Sequence, residues 1–400
     1  MLPGATQTAA PVTAAVGAGA KVVPVIPFTR ASLMKSAYLT AVAPIAIAAA
    51  ALTPGINNQI LASGFLRRIR LSVVGTTAGN AAAVAFNADG PFNVLQQVFM
   101  NQPNGNSLIQ TIDGFDLYVL NKYFALGVDK SDPLADPGFS VVTGAGATGG
   151  SFAFNLFVPC EVDPRDGLGA LTNMAANQSY LLQAQLATTA QLYTTAPTNP
   201  PVVSVTATME YYSAPAAATD KGIPQQSAPT PVGSLSMIQV QTPAPIVGAT
   251  QKQTLVNVGN AIRVIAFIAR TAAGVRTEVD FPATSQIKYL GDVLRYFTKI
   301  QWNEEMARRY GYGAGKTAAP TLNSLDNGVF IFSDPISQGG AGGDKISCSA
   351  NRDRLLLTDS GTLLEFEAVT AWGGAVGAWK VITNSIQPSS LEALFHPFVN

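Results

Sequence analysis

VSVTATMEY, residues 203–211, sets how the rest of this chain is read. Val203, Val205, Ala207, Met209 and Tyr211 fall on one side of an extended backbone, with Ser204, Thr206, Thr208 and Glu210 on the other. Successive side chains of a strand point to opposite faces, so this period of two specifies one face in a core and one facing out. The pattern recurs along the chain. In 68–74, Ile69, Leu71 and Val73 oppose Arg68, Arg70 and Ser72; a turn at 75–80 then leads to a short strand at 82–86. Phe152, Phe154, Leu156 and Val158 share a side in 151–158, as do Tyr180, Leu182, Ala184 and Leu186 in 179–187. Beyond residue 233 the alternation resumes in 261–270 (Ile262, Val264, Ala266, Ile268) and in 275–281 (Val275, Thr277, Val279, Phe281). Strands are also expected at 329–332 and at 363–372, where Leu364, Phe366 and Ala368 oppose Glu365 and Glu367. Helices are few: 114–124 and 166–176 as short covers for a sheet end, and 291–310 as the best, stopping at Gly311.

One apolar face per strand describes antiparallel sheets packed in pairs, not a parallel α/β sheet. With 400 residues the chain can hold two separate cores. Residues 1–55 read as an extended arm, punctuated by Pro3, Pro11, Pro24, Pro27, Pro44 and Pro54. A first β-unit is expected over 56–212, a proline-rich linker over 213–233, a second β-unit over 234–385 and a tail over 386–400. Both units run through several strands, a short helix, a Phe-rich strand ending at Pro159 or Pro335, and closing strands. That is the plan of two β-sandwiches of one topology in tandem. Within the arm, AYLTAVAPIAIAAAAL (37–52) is too short, too Ala-rich and too interrupted by Pro44 to span a bilayer. It also starts too far along the chain for a signal peptide. A short helix packed against protein is the expectation there.

The chemistry of the chain is sparse. It has one histidine, His396, two cysteines, Cys160 and Cys348, and 24 basic against 24 acidic residues. His-based triads and zinc sites are thereby close to excluded. The cysteines read as reduced, buried thiols of a protein folded in the cytoplasm. Charged residues make up 12%, half of the ~25% usual in globular proteins, and the net charge is +0. Such a surface is better explained if much of it is covered by partners. Lys21, Arg30, Lys35, Arg67, Arg68 and Arg70 all precede the first acid, Asp89. Lys21, Arg30 and Lys35 are the candidates for contact with a membrane or with the inner face of an assembly.

Other motifs fall away on inspection. Gly144, Gly146 and Gly149 satisfy G-x-G-x-x-G, but a strand follows where a phosphate site needs a helix, so a hairpin loop is expected. GYGAGKT (311–317) is one residue short of a phosphate-binding loop: Tyr310 stands where the first glycine belongs. The acidic pairs Asp113/Asp116, Asp163/Asp166 and Glu304/Glu305 suit caps and turns. Asp129, Asp132 and Asp136 do not have calcium-loop spacing. Arg308 and Arg309, with Arg295 and Lys299, make a solvated or interface face of a helix. No cofactor, metal or catalytic residue is assigned.

Four segments carry a resemblance: GFLRRIRLSVVG (64–75), ADGPFNVLQQVFMNQPNGN (88–106), DGFDLYVLN (113–121) and GATGGSFAFNLFVPCEVDPRDGLGALTNMAANQSYLLQAQLA (146–187). Together they resemble the first jelly roll of the tectivirus major capsid protein, the double jelly-roll, adenovirus-lineage coat protein of internal-membrane phages. The second half matches more loosely, through 302–310 with its Arg pair, GVFIFSDP (328–335) and 363–372. The resemblance implies an all-β fold of two tandem eight-stranded jelly rolls, with short helices and an extended N-terminal arm. It implies a major capsid protein of an internal-membrane icosahedral virus, located in the virion and not an enzyme. Homotrimers of pseudo-hexagonal outline would tile the shell, with neighbouring trimers, penton and minor capsid proteins as partners and no sequence-specific nucleic acid. The arm would lie inside, near an internal lipid membrane, with the tail helping to lock contacts. The loops 126–150 and 311–327 suit tower or rim positions. Two other classes compete: a secreted jelly-roll lectin or adhesin with exposed aromatics on one sheet face, and a polysaccharide-cleaving enzyme using Asp163 and Glu304.

Overall fold

The computed structural model describes residues 25–78, 80–123, 132–162, 167–175, 179–215, 218–229, 233–256, 260–310, 325–333, 356–358, 361 and 363–387. Eight principal strands build the first half: β1 (Met34–Ala46), β2 (Thr53–Gln59), β3 (Gly64–Thr76), β4 (Leu95–Asn101), β5 (Ser107–Ile112), β6 (Phe152–Pro159), β7 (Leu181–Leu186) and β8 (Val202–Tyr212). They pair in the orders β1-β8-β3-β6 and β2-β7-β4-β5. The second half repeats this with β9 (Leu235–Gln241), β10 (Gln251–Thr254), β11 (Ala261–Thr271), β12 (Thr284–Tyr289), β13 (Asp292–Thr298), β14 (Val329–Ser333), β15 (Leu364–Ala368) and β16 (Val376–Gln387). Its orders are β9-β16-β11-β14 and β10-β15-β12-β13. In both halves the neighbours are first–eighth–third–sixth and second–seventh–fourth–fifth, which is the strand order of a jelly roll. The helices are α1 (Phe28–Ala31), α2 (Gly114–Tyr123), α3 (Thr189–Leu192) and α4 (Lys299–Tyr310), with α2 and α4 each joining the fifth and sixth strands of their roll.

Alternation places side chains as the sequence requires in the first roll. Ile69, Leu71 and Val73 of β3, Phe152, Phe154, Leu156 and Val158 of β6, and Leu182, Ala184 and Leu186 of β7 are all buried. So are Val203, Val205, Ala207 and Met209 of β8, but Tyr211 is only half-buried. The β3–β8 register slips at this point, Glu210 facing Arg68 and Tyr211 facing Leu66. One extra residue on β3 is a bulge, and beyond it Tyr212 becomes the buried member. In the second roll β11 is buried from Ala261 to Ala269 without alternation. Phe267 faces Trp302, Phe366 and Trp379, and Val264, Ala266 and Ile268 on the other side are equally enclosed. One contiguous hydrophobic core runs through both rolls.

Several expectations are corrected. Residues 37–52 do not form a helix: most of them are β1, paired antiparallel along β8, so the structured chain starts well before residue 56. Residues 166–176 hold no helix among the described positions; Leu171–Asn173 pairs with β3 as a short strand. Residues 275–281 turn instead of extending, and Val279 is 84% exposed. The cause is local: Thr277 Oγ1 donates to Asp280 Oδ2 at 2.7 Å, and the Thr277 hydroxyl accepts from the Asp280 N–H. The helix expected over 291–310 occupies only its second half. Asp292–Thr298 is β13, and the Thr298 hydroxyl and Gln301 side chain exchange bonds with each other's N–H at 3.2 Å, a capping box that starts α4. Within 213–233, Thr219–Asp220 pairs with Ile223–Pro224. β16 runs to Gln387, just past the expected start of the tail.

Candidate functional site: the seam between the rolls and the open strand edges

The two rolls are joined edge to edge. β5 and β9 run parallel at Ile109 and Ile238, and the Val240 N–H donates to Gln110 Oε1 at 2.7 Å. The second sheet of the first roll and the first sheet of the second therefore form one continuous sheet.

Beside this junction lies a seam of crossed charges. Asp113 and Asp116 cap α2 reciprocally, the Asp116 N–H donating to Asp113 Oδ1 at 2.8 Å and the Asp113 N–H to Asp116 Oδ2 at 3.1 Å. α2 can start here because Gly114 has no Cβ; one would sit 1.9 Å from the Phe92 carbonyl oxygen. From β16, Lys380 Nζ reaches Asp113 Oδ2 at 3.0 Å and Asp116 Oδ2 at 2.8 Å. Asp89 meets Arg270 Nη1 at 2.5 Å and Arg276 Nε at 2.9 Å. The Arg276 guanidinium lies 4.2 Å from the Phe115 ring centroid and also donates to the Leu325 and Ala88 carbonyls. At the other end of α2 the polarity reverses: Lys122 Nζ is 2.8 Å from Asp326 Oδ1, to which the Tyr123 hydroxyl also donates. First-roll acids thus face second-roll cations, and one first-roll cation faces a second-roll acid.

Burial makes this seam electrostatically tense. Asp116 is fully buried, and that burial, with Asp113 alongside, pushes its pKa up to about 6 despite Lys380. Burial acts on Asp113 in the same direction, but Lys380 and Arg270 outweigh it and hold its pKa below the ordinary value. Burial would lower Lys380, but Asp116 and Asp113 outweigh that and raise it. An acid whose folded pKa is raised stabilises the fold below its unfolded pKa of about 3.9, and this contribution is lost as pH rises towards 6. Asp113 has the opposite sign and acts only at lower pH. The stability of the native chain minus that of Asp116→Asn is therefore expected to fall by about 1–3 kcal/mol between pH 4 and 7. Denaturant melts of both proteins across that range measure it; a difference that grows with pH would mean Lys380 holds Asp116 ionised.

The basic start of the sequence is largely answered in space. Arg67 pairs with Glu161, and Arg68 grips Glu210 through Nε at 2.6 Å and Nη2 at 3.1 Å while lying over Phe157. Tyr212 adds a bond to Glu161 at 2.7 Å. Arg70 donates to Asn155. Arg30, in the last turn of α1, and Lys35, on β1, are exposed; Lys21 lies outside the described residues. His396, Cys348, Asp129, the pair Asp163/Asp166 and the 311–317 loop also lie outside them. Cys160 is buried, which pushes its thiol pKa well up. Asp132 accepts from the Leu134 N–H as a cap, Asp136 binds Gly138 and Asn155, and Glu305 lies 3.7 Å from Arg295. Gly144–Gly146 is a short strand leading by a turn into β6, without a helix. Among the described residues no group of His, Cys, Asp and Glu could hold a metal, and no helix is long and apolar enough to cross a membrane.

Among the described residues several strands end their sheets, and two of these edges expose a run of apolar side chains. β1 pairs with β8 on one side only, and β13 only with β12. Both expose apolar side chains: Leu33, Met34, Tyr38 (62%) and Ile45 at β1, and Val293, Leu294, Tyr296 (57%) and the neighbouring Ile300 (71%) at β13. Unpaired, apolar edges are sites where another strand adds unless something covers them.

Two rolls of identical strand order, fused through one continuous sheet, define a double jelly-roll protein. Among solved structures the chain is similar to the atomic structure of Sulfolobus turreted icosahedral virus, with TM-score 0.57 and 13% identity over 91% of this chain and 96% of that one. It is similar to the crystal structure of the STIV MCP (TM-score 0.56, 14% identity, 88% and 96%) and to the PBCV-1 virus capsid (0.55, 12%, 89% and 93%). At these identities the likeness is one of fold. No protein-family model and no curated protein matches the chain.

Proposed function

We propose that this chain is a major capsid protein of an icosahedral virus with an internal membrane, assembling as a homotrimer of pseudo-hexagonal outline that tiles the shell. The carrying observation is the repeated roll: two modules of one topology, locked by a buried seam, with apolar strand edges left open on each. Such a unit presents six similar modules when three copies close into a ring. Its fold likeness to viral capsid structures supports the same reading. Its function is then contact, made with neighbouring trimers and with penton and minor capsid proteins in the virion, after folding in the host cytoplasm. Negative-stain images of the purified chain test this. Ring-like particles of hexagonal outline are expected; two-lobed particles alone would refute it.

The chain up to the first residues of β1 serves as an inner arm in this proposal, with Lys21, Arg30 and Lys35 meeting anionic lipid. Replacing all three by Ala is expected to weaken cosedimentation with anionic liposomes about tenfold at low salt, with the difference shrinking as salt rises. Equal binding at every salt concentration would assign the arm to protein contacts.

A further inference from the structure

The repeat makes the inner junction of one chain a template for contact between chains. Within the chain, the fifth strand of the first roll, β5, lies parallel to the first strand of the second, β9. Since both rolls have one strand order, each owns a fifth strand at the flank of its second sheet and a first strand at the flank of its first. One of each is consumed in the β5–β9 junction, where Leu108, Ile109 and Ile112 of β5 and Ile238 of β9 are buried. What is left over is the fifth strand of the second roll, β13, and the first strand of the first roll, β1. These are the two principal strands described above as open and apolar.

We infer that β13 of one copy docks parallel to β1 of the next, repeating between chains the β5–β9 junction. The inference rests on the trimer reading and names its contact. Leu294 and Tyr296 of one copy meet Met34 and Tyr38 of the next. Pro44, with no N–H to donate, ends the stretch of β1 able to pair. The contact is heterologous, using a different surface on each partner, so it propagates instead of stopping at a twofold pair, and it closes into a ring of three when each step turns by about 120°. It also differs in chemistry from its template. α2 brings Asp113 and Asp116 to the inner seam, whereas α4 has no acid in its first turn and exposes Ile300 there. The inner joint is ionic and folds with the chain; the outer joint is apolar and forms between finished chains.

The test uses the full chain carrying Tyr38→Cys together with Tyr296→Cys, and separately Tyr38→Cys with Leu294→Cys, under mild oxidation. Each chain then holds one cysteine on β1 and one on β13, so non-reducing gels are expected to show a ladder ending at covalent trimers. The single variants, which retain Cys160 and Cys348, are expected to show none. In parallel, Leu294→Asp with Tyr296→Asp is expected to leave the circular dichroism spectrum of the folded chain unchanged, because both side chains are exposed in the isolated chain, while weakening self-association at least a hundredfold. A trimer that forms no ladder and ignores the Asp substitutions would overturn this junction and leave the trimer reading intact. A native chain that is monomeric would overturn both.

Discussion

Lys380→Met is expected to cost about 3–5 kcal/mol of stability. The lysine bridges Asp113 and Asp116 at 3.0 and 2.8 Å, and Asp116 has no exposed surface. Met fills similar volume, so the loss comes from stranding two carboxylates against each other in a buried site. Adding Asp113→Asn and Asp116→Asn to Lys380→Met should recover part of the loss, because no uncompensated charge then remains. Denaturant midpoints of the three proteins measure this. A loss under about 1 kcal/mol for Lys380→Met would mean that water reaches the seam and screens it.

Removing residues 1–55 is expected to abolish soluble folded protein, whereas removing 1–24 is not. The longer deletion takes away β1, exposing the edge of β8, and with it the buried Phe28, Leu39 and Ile47. Phe28 packs edge-on against Phe65 at 4.9 Å and Tyr212 at 5.6 Å. Each buried side chain is worth about 2–5 kcal/mol when truncated, and three of them approach the 5–15 kcal/mol that holds a whole domain. The shorter deletion removes none of these contacts. Soluble yield and circular dichroism of the two truncations decide it: a folded chain lacking 1–55 would make β1 an accessory. The sequence alone placed all of residues 1–55 in an extended arm outside the first β-unit.

That difference has a physical cause. β3, β7 and β8 were legible because each is paired on both sides and shows one face to a core, which imposes strict alternation, and β6 alternates against the same core. β1 is an edge strand with Leu39 its one fully inward side chain, so its remaining positions carry Ala, Thr and Pro without a period. Alanine's helix preference then misleads, and Pro44 is tolerated because an edge lacks a second partner. β13 was hidden differently, since its apolar residues continue into α4 and blur the boundary. The Thr298…Gln301 spacing marked that boundary in the sequence, and it is the signal that could have separated the two elements.

The seam was half legible. Asp113 and Asp116 were expected to cap a helix, and they do. Nothing local announces Lys380, which lies 264 and 267 residues away in the chain. The run of cations before Asp89 was equally misleading, because Glu161 and Glu210 return to Arg67 and Arg68 once the sheet forms. Charge separated along a chain is not charge separated in space. The repeat of strand order is a property of pairing, so it emerged only with the topology, although the parallel succession of strand, helix and Phe-rich strand in the two halves foreshadowed it.

The proposed role requires the open roll edges to be covered by further copies of the same chain. Native mass measurement of the purified 400-residue chain at micromolar concentration tests this most directly. The expected result is a single species of three 41.6 kDa chains. A stable monomer, or a twofold dimer, would contradict it.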